Sequence, residues 1–454
     1  MPMKTFVSSV FLSSILASSA FSQADAAKNY YWIGAYEGLI SSASSWSEDE
    51  AGYGNPVSEA PGENAILNVN KDNKQTAGQL SNPARIQAGT GKRFLSLVST
   101  VNTEIHVLQT MNFIGDYVSR VDSDYIYNGT TKQLRFANDN SSSEFKFLNV
   151  GGDMTLSTRK YHTARVSFVK GTAMRMDVGG ALNFEYLGSA ADAGFHTFDM
   201  RDSQSSTGSN FIANLGGMSS SGRAVLMTAY KGVVADFVFQ NDSSGAFKGG
   251  DFEGVFANYT SAESTVNFSM SGAGRQSVAV YSAANAAAHG IGGVSGKTDM
   301  NIGSVEVYGG EFFMDSELAV NSVLLDGGSL GFSSPEKVGS FTANGGTIVY
   351  SGKISADTLS VAADSVKVVF SDEDLAAHDI VVFDFGYLSD DFDANEVFSA
   401  YDASGNRLGG EFFLNGSAGG SGTLAYSVPE PSALAAILGL FALSAAFAAR
   451  KQRR

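Results

Sequence analysis

Paired glycines recur along this chain of 454 residues, and several of them are followed by alternating apolar residues. The pairs begin at Gly151, Gly179, Gly216, Gly249, Gly292, Gly309, Gly327 and Gly345. From Gly309 to Gly327 to Gly345 the interval is constant, and the strand pattern continues one interval further at Val366 and Val368. We call this constant interval the glycine step. A glycine turn that feeds a strand at a regular interval is the sequence pattern of stacked structural repeats.

Apolar residues alternate with polar ones in many short segments, among them Met174, Met176 and Val178, and Val266, Phe268 and Met270. A period of two predicts strands with one buried face. Between Asn29 and Tyr426, only Ala283–Ala288 and Asp372–Ala377 have a helical composition, and both are too short to form stable helices alone. We therefore predict an all-β chain, and the glycine step favours a right-handed parallel β-helix, or solenoid. An array of antiparallel β-sandwiches is the alternative, because alternation and glycine turns suit both.

Composition excludes several classes of protein. The chain has no cysteine, so disulfides and zinc-thiolate sites are impossible. Its 51 glycines and 32 phenylalanines are unlike a disordered chain, which is poor in aromatic residues. The formal net charge of −16 repels nucleic acid and anionic lipid, so we expect no nucleic-acid partner.

The C-terminal segment, residues 428–454, has three parts: a proline-containing motif, an apolar run at 433–449 and a basic end. The prolines should stop any structure that arrives from the body. The eighteen uncharged residues after Pro431 would span about 27 Å as a helix, close to the hydrocarbon thickness of a membrane. The basic end should stay on the cytoplasmic side, which leaves the body outside. The motif residues are Val428, Pro429, Glu430 and Pro431, and the basic stop residues are Arg450, Lys451, Arg453 and Arg454.

This arrangement resembles the PEP-CTERM sorting signal of Gram-negative bacteria, with Pro429-Glu430-Pro431 as the signature tripeptide. The resemblance is confined to the segment at 428–454. It implies recognition by an exosortase-like transpeptidase, which would cut near the tripeptide and pass the body to the cell surface or an exopolysaccharide matrix. A permanent single-span anchor is the alternative.

The N-terminus is consistent with export. Lys4 precedes an apolar stretch from Phe6 to Phe21, and small residues follow at Ala24 and Ala26, which is the layout of a secretory signal peptide. We expect residues 1–26 to be the signal peptide, 28–62 an N-terminal capping segment, 63–427 the solenoid body and 428–454 the sorting and transmembrane tail.

Both tryptophans, Trp32 and Trp46, fall in the segment at 28–62. Its Trp-x-Gly and Trp-Ser pattern is similar to the start of many autotransporter-like and PEP-CTERM passenger regions. An open end of a solenoid must be covered, and large aromatic side chains can shield it. We expect capping here rather than stacking on a glycan.

Motifs that would indicate catalysis are absent. The five histidines stand far apart, and no Gly-x-Ser-x-Gly, Walker or dinucleotide-binding pattern occurs in a suitable context. Carboxylates are the remaining candidates for a site, since calcium takes about six to eight oxygen ligands. The spacing matches neither an EF-hand loop nor the repeated aspartate nonapeptides of calcium β-rolls, so we expect no cofactor and keep calcium as an alternative. The candidate ligands are Asp384, Asp390, Asp391 and Asp393.

We therefore expect a non-catalytic, exported surface or extracellular-matrix protein, held in the membrane by its tail before processing and in contact with extracellular polysaccharide. A carbohydrate-active enzyme, a polysaccharide lyase or glycosidase on the same scaffold, is the alternative, because fold does not determine function.

Overall fold

The computed structural model describes residues 26–428, except for 35–36, 51–53, 71–83, 89–91, 101–102, 108–109, 122–131, 139–143, 160–161, 169–172, 190–193, 203–208, 231, 242–244, 260–262, 334–336, 363–364 and 378. Nearly all of the predicted signal peptide and the tail from Pro429 onward lie outside the described residues. Within them, no helix is both long and apolar enough to cross a membrane.

The described residues form strands β1 to β33. The first eleven are β1 (Lys28–Trp32), β2 (Glu37–Leu39), β3 (Trp46–Ser47), β4 (Ala65–Val69), β5 (Ala84–Ala88), β6 (Arg93–Phe94), β7 (Ser96–Ser99), β8 (Thr103–Val107), β9 (Met111–Phe113), β10 (Tyr117–Val121) and β11 (Lys132–Asn138). The next eleven are β12 (Glu144–Val150), β13 (Met154–Thr158), β14 (His162–Phe168), β15 (Ala173–Tyr186), β16 (His196–Asp202), β17 (Asn210–Ser221), β18 (Val225–Ala229), β19 (Val234–Phe239), β20 (Asp251–Asn258), β21 (Thr265–Met270) and β22 (Arg275–Tyr281). The last eleven are β23 (Thr298–Asp299), β24 (Asn301–Val307), β25 (Glu311–Ser316), β26 (Val320–Phe332), β27 (Lys337–Val349), β28 (Ile354–Val361), β29 (Val366–Phe370), β30 (Asp379–Leu388), β31 (Phe398–Asp402), β32 (Glu411–Asn415) and β33 (Gly422–Ser427).

Helical structure in the described part is confined to one α-helix, α1 (Ala394–Val397), and three 3₁₀-helices at Ala43–Ser45, Ala283–Asn285 and Asp374–Ala376. The all-β prediction is therefore confirmed. The two segments of helical composition each form only a single 3₁₀ turn, because neither is long enough to offset the cost of nucleation.

The strands pair in three ladders of mainly parallel neighbours. Ladder A begins β1–β4–β7–β10–β13 and continues into the second half of β15. Ladder B runs β2–β5–β8–β11–β14–β16–β18–β20. Ladder C runs β6–β9–β12, through the first halves of β15 and β17, to β19, β21 and β24, and on through the first halves of β26 and β27 to β28. Each strand therefore pairs with one that lies a full set of strands further along the chain.

Antiparallel pairs among the described strands occur at four places: β1–β3, β20–β23, β30–β33 and β32–β33. A sandwich of glycine hairpins would instead pair successive strands antiparallel throughout. The β-sandwich alternative is therefore wrong, because the described strands pair mainly with parallel neighbours.

Residues that are one glycine step apart along the chain pair with each other on neighbouring strands. Ile302 on β24 pairs with Val320 on β26, Val320 with Val338 on β27, and Val338 with Ala356 on β28. All four side chains are buried. Equivalent apolar side chains therefore stack on one another along a continuous core, in which neighbouring strands bury each other's inward faces.

Several glycine pairs lie at corners, where the chain passes from a strand of one ladder to a strand of another. The N–H of Gly152 donates to the carbonyl of Gly115 at 3.0 Å, and the N–H of Gly180 donates to the carbonyl of Gly152 at 2.8 Å. Gly328 has a φ of 61°, and a Cβ at this position would lie 2.7 Å from the backbone of both Gly309 and Gly310. Successive glycine corners thus lie too close together for a side chain to fit between them.

Both tryptophans of the N-terminal segment are buried. Their rings meet edge to face with centroids 5.0 Å apart, and Trp46 Nε1 donates to the carbonyl of Ile40 at 2.8 Å. Neither ring is available to stack on a glycan. The two rings pack against the first strands of the ladders. The expected capping role stays a prediction.

We expect Gly328→Ala to destabilise the fold by about 2–4 kcal/mol, because alanine would adopt a left-handed backbone and clash with the corner before it. Urea unfolding followed by circular dichroism measures the change. Gly292→Ala is the control, since no atom lies within 4 Å of a Cβ at that position. Equal unfolding midpoints for the two variants would contradict the stacked-corner explanation.

Candidate functional site

The structure does not gather the predicted acidic ligands into one site. Asp384 pairs with Lys353 at 3.0 Å, Asp391 accepts from the Ala418 N–H at 2.6 Å, and Asp393 caps α1 by accepting from the Asn395 N–H at 2.9 Å. Asp390 is exposed. Within the described residues no group of three or more histidine or acidic side chains could hold a metal ion. A calcium site at these four residues therefore has no structural support.

Of the predicted sorting motif, the structure describes Val428 alone. Its side chain is partly buried against the hydrophobic core, and β33 ends one residue earlier, at Ser427. The body is therefore packed up to the residue before Pro429. Pro429, Glu430, Pro431, the apolar run and the four basic residues lie outside the described residues, and the sorting function stays a prediction.

A cluster that the sequence patterns did not reveal lies on the outer face of ladder B. Met200, Ala229 and Asn258 pair across β16, β18 and β20. This pairing aligns Arg201 of β16 with the residues that directly follow the other two strands, Tyr230 and Tyr259. We call Arg165, Asp199, Arg201, Tyr230, Tyr259 and Lys297 the tyrosine–arginine patch.

The two tyrosine rings of the patch stack on each other, with centroids 4.0 Å apart and an interplanar angle of 18°. The Arg201 guanidinium lies 4.1 Å from the Tyr230 centroid and 5.2 Å from that of Tyr259. Lys297 Nζ lies 4.4 Å from the Tyr259 centroid. Two cations are thus held beside stacked aromatic rings, an arrangement that attracts them to the negative ring faces.

Asp199 is the buried carboxylate that holds the two arginines of the patch in place. It is only 1% exposed and accepts hydrogen bonds from Arg165 Nε at 3.1 Å, from Arg201 Nε, and from Thr228 Oγ1 at 3.2 Å. Burial raises the pKa of this carboxyl, and the two guanidinium groups oppose that shift. One buried carboxylate therefore orients two arginines through their Nε donors.

Lys297 reaches the patch from a covering segment, residues 282–300, that lies over the end of ladder B. Ala286 and Ile291 of this segment pack on Leu226, Val255 and Ala257, which point outward from β18 and β20. These residues form a hydrophobic cluster separate from the main core. The covering segment thus buries an apolar outer face and sets the position of Lys297.

Polar contacts fasten the covering segment to its neighbours. Glu317 accepts from Ser282 Oγ at 3.1 Å and from Asn285 Nδ2 at 2.5 Å, and these hydrogen bonds lower its pKa against the effect of desolvation. His289 Nδ1 lies 2.7 Å from Glu253 Oε1, and its ring stacks on Tyr281 at 3.5 Å.

The covering segment also lines an open cavity of about 520 Å³, whose walls include Ile291, Val294, Lys297 and Thr298. Lys297 therefore belongs both to the cavity wall and to the tyrosine–arginine patch. The two features form one continuous surface on this side of the molecule.

This surface offers cations, aromatic edges and hydroxyl groups. Among the described side chains of the patch Asp199 is the one carboxylate, and it is buried, while at the cavity Asp299 accepts from the Ala283 N–H at 2.6 Å. The arrangement is suited to binding an anionic group.

A spacing in the sequence could have indicated the patch. Arg201, Tyr230 and Tyr259 are evenly spaced along the chain, and Phe198, Met227 and Phe256 on the inward side repeat at the same interval. This interval is hidden because the glycine pairs of the same region are unevenly spaced.

We expect Asp199→Asn to lower the free energy of unfolding by about 1–3 kcal/mol, because two guanidinium groups would lose their buried counter-charge. Asp384→Asn, which removes the partly exposed partner of Lys353, should cost less than about 1 kcal/mol. Chemical denaturation of the two variants compares them. A larger loss for Asp384→Asn would contradict the anchoring role of Asp199.

The burial of His196 leads us to expect that the stability of the fold depends on pH. It is buried, its Nε2 lies 2.8 Å from the Glu185 carbonyl oxygen, and desolvation lowers its pKa to about 4. The unfolded chain binds this proton with a pKa of about 6.5, so stability should be complete above that pH and fall by about 3 kcal/mol as the pH drops to 4. Unfolding midpoints measured between pH 4 and 7 test this.

The variant His196→Gln should flatten that pH dependence, whereas His289→Gln should retain it. If both variants keep the full slope, protonation of His196 does not cause the acid sensitivity.

Comparisons of this chain with protein-family models, with curated proteins and with solved structures find no match.

Proposed function

We propose that this protein is an exported, non-catalytic surface or extracellular-matrix protein whose body is a right-handed parallel β-helix. Three ladders of parallel strands, and a pairing register that repeats at the glycine step, support the β-helix. Right-handedness is inferred from the strong general preference of parallel crossover connections.

The observation that carries the proposal is the regular polar face of ladder C. Ser304 pairs with Ser322, Ser322 with Ser340, and Ser340 with Thr358, so hydroxyl groups recur on successive strands. Since neighbouring strands lie about 4.8 Å apart, these hydroxyls form an evenly spaced row. Such a row suits contact with an extended, repeating polymer.

Amide and carboxylate side chains form a comparable row earlier on the same ladder. Asn149 donates to Asn112 at 3.2 Å, and Asn214 donates to Asp177 at 2.8 Å. Asp177 also accepts from Lys146 and from Arg175, the latter at 3.0 Å, and these contacts lower its pKa against the effect of desolvation. These polar groups satisfy one another along the stack, which favours a scaffold role over a catalytic one.

The proposed delivery of the body to the cell surface depends on the C-terminal tail. An exosortase-like transpeptidase would recognise Pro429-Glu430-Pro431 while residues 433–449 hold the chain in the membrane, and the released body would remain at the cell surface or in a polysaccharide matrix. The packed end of the body at Val428 is compatible with cleavage there, because a cut beyond Val428 would leave all the described core residues in the released body.

Mass spectrometry of the surface-held protein from its native cells tests this proposal. We expect a new C-terminus close to Pro429 and an N-terminus between about residues 20 and 28. The variant Pro429→Ala should retain the intact tail if the tripeptide is the recognition element. An intact Arg454 in the wild-type surface protein would refute sorting.

The same preparation, incubated with extracellular glycans, should release no shorter fragments detectable by size-exclusion chromatography. Depolymerisation that is lost on replacing one carboxylate would establish the enzyme alternative instead.

A further inference from the structure

We propose that the tyrosine–arginine patch binds a carboxylate-bearing polysaccharide, through Arg201 and Lys297. This inference rests on the proposed function, since it names the chemical class of the matrix partner. It concerns ladder B, whereas the polar rows that support the scaffold role lie on ladder C.

The first step is local charge. The chain as a whole carries −16, yet the patch and the adjoining cavity wall bring together three described cations, Arg165, Arg201 and Lys297, with two described carboxylates, Asp199 and Asp299. Asp199 is buried and hydrogen-bonded to the arginines, and Asp299 accepts from the Ala283 N–H at 2.6 Å. An anionic group approaching this face therefore meets an excess of positive charge on an otherwise acidic protein.

The second step is preorganisation. Arg201 is held by Asp199 and by the ring of Tyr230, and Lys297 is held over Tyr259 by the covering segment. Long cationic side chains normally lose rotamer freedom when they bind a ligand. Because these two are already oriented, the entropic cost of binding an anion here is reduced.

The third step is the nature of the surface around the cations. Tyr259 is 40% exposed, and hydroxyl-bearing Thr298 lies next to Lys297 on the wall of the adjoining cavity. Tyrosine edges and hydroxyls contact the ring edges and hydroxyls of sugars, while a guanidinium pairs with a carboxylate through two parallel N–H donors. The combination fits a sugar acid better than an isolated inorganic anion.

The fourth step separates sugar acids from other polyanions. Nucleic acid carries a charge about every 1.7 Å of duplex, and the net negative charge of this chain repels such a dense array. A uronate polymer carries one carboxylate per sugar at most, with neutral atoms between. A local pair of cations can bind such sparse charges while the acidic remainder of the body stays clear of them.

Isothermal titration of the full chain in neutral detergent, with a galacturonate hexamer as the probe, tests the proposal. We expect binding that weakens as salt is raised from 50 to 300 mM, and no measurable binding of a neutral glucose hexamer. Lys297→Gln should weaken binding of the galacturonate hexamer about fivefold, whereas Lys297→Arg, which retains the charge, should preserve it.

Lys367→Gln is the matched control. Lys367 also lies over a tyrosine, 5.6 Å from the Tyr401 centroid, but on β29, which pairs with β27 and β31 and is not part of ladder B. This variant removes the same charge and the same kind of ring contact, so binding should be unchanged. Thermal melts of both glutamine variants establish that each remains folded.

Absence of galacturonate binding, an equal loss in Lys297→Gln and Lys367→Gln, or equally tight binding of single-stranded DNA would each overturn the proposal. If binding is absent while the surface protein still ends near Pro429, this site is rejected and the proposed function stands. If binding is present while Arg454 is intact, the patch is retained and the sorting mechanism is rejected.

Discussion

Backbone pairing between strands that are far apart along the chain, yet adjacent in space, organises this protein. With no cysteine in the chain and no metal cluster among the described residues, cohesion comes from these ladders and from the apolar side chains stacked inside them. The pairing register of the strands determines which side chains face the core, because a slip of one residue would turn each inward side chain outward. The stacked glycine corners permit that register, since a side chain at Gly328 would force neighbouring runs apart.

The tyrosine–arginine patch is a product of the same register. The pairing that buries Met200 beside Ala229 also aligns Arg201, Tyr230 and Tyr259 one position further. The patch lies where ladder B ends at β20 and the covering segment closes it with the antiparallel strand β23. An edge that would otherwise expose unpaired backbone groups and apolar residues is thereby covered, and Lys297 is brought to the rings in the process.

Much of the fold could be predicted from the sequence. Alternation placed Val366, Val368 and Phe370 on one buried face, and all three are fully buried. The glycine step anticipated the register from Ile302 to Ala356. Between Gly151 and Gly292 the prediction was weaker, because the runs there carry insertions of unequal length that hide the common interval of Arg201, Tyr230 and Tyr259. The acidic cluster at Asp384–Asp393 was a poor guide to a site, since nearness in sequence says little about whether carboxylates converge or cap separate backbone groups.

The sequence by itself determined the strand content, the inward and outward faces of each strand and the spacing of the C-terminal repeats, because these depend on local alternation and on glycine at the corners. It also carries the proposed sorting tail, which is a linear motif. Tertiary structure alone decided that Asp199 would be buried under two arginines, that residues 282–300 would cover the outer face of ladder B, and that Lys297 would lie over Tyr259. Those contacts join residues that are far apart along the chain, and only the parallel stacking of the strands brings them together.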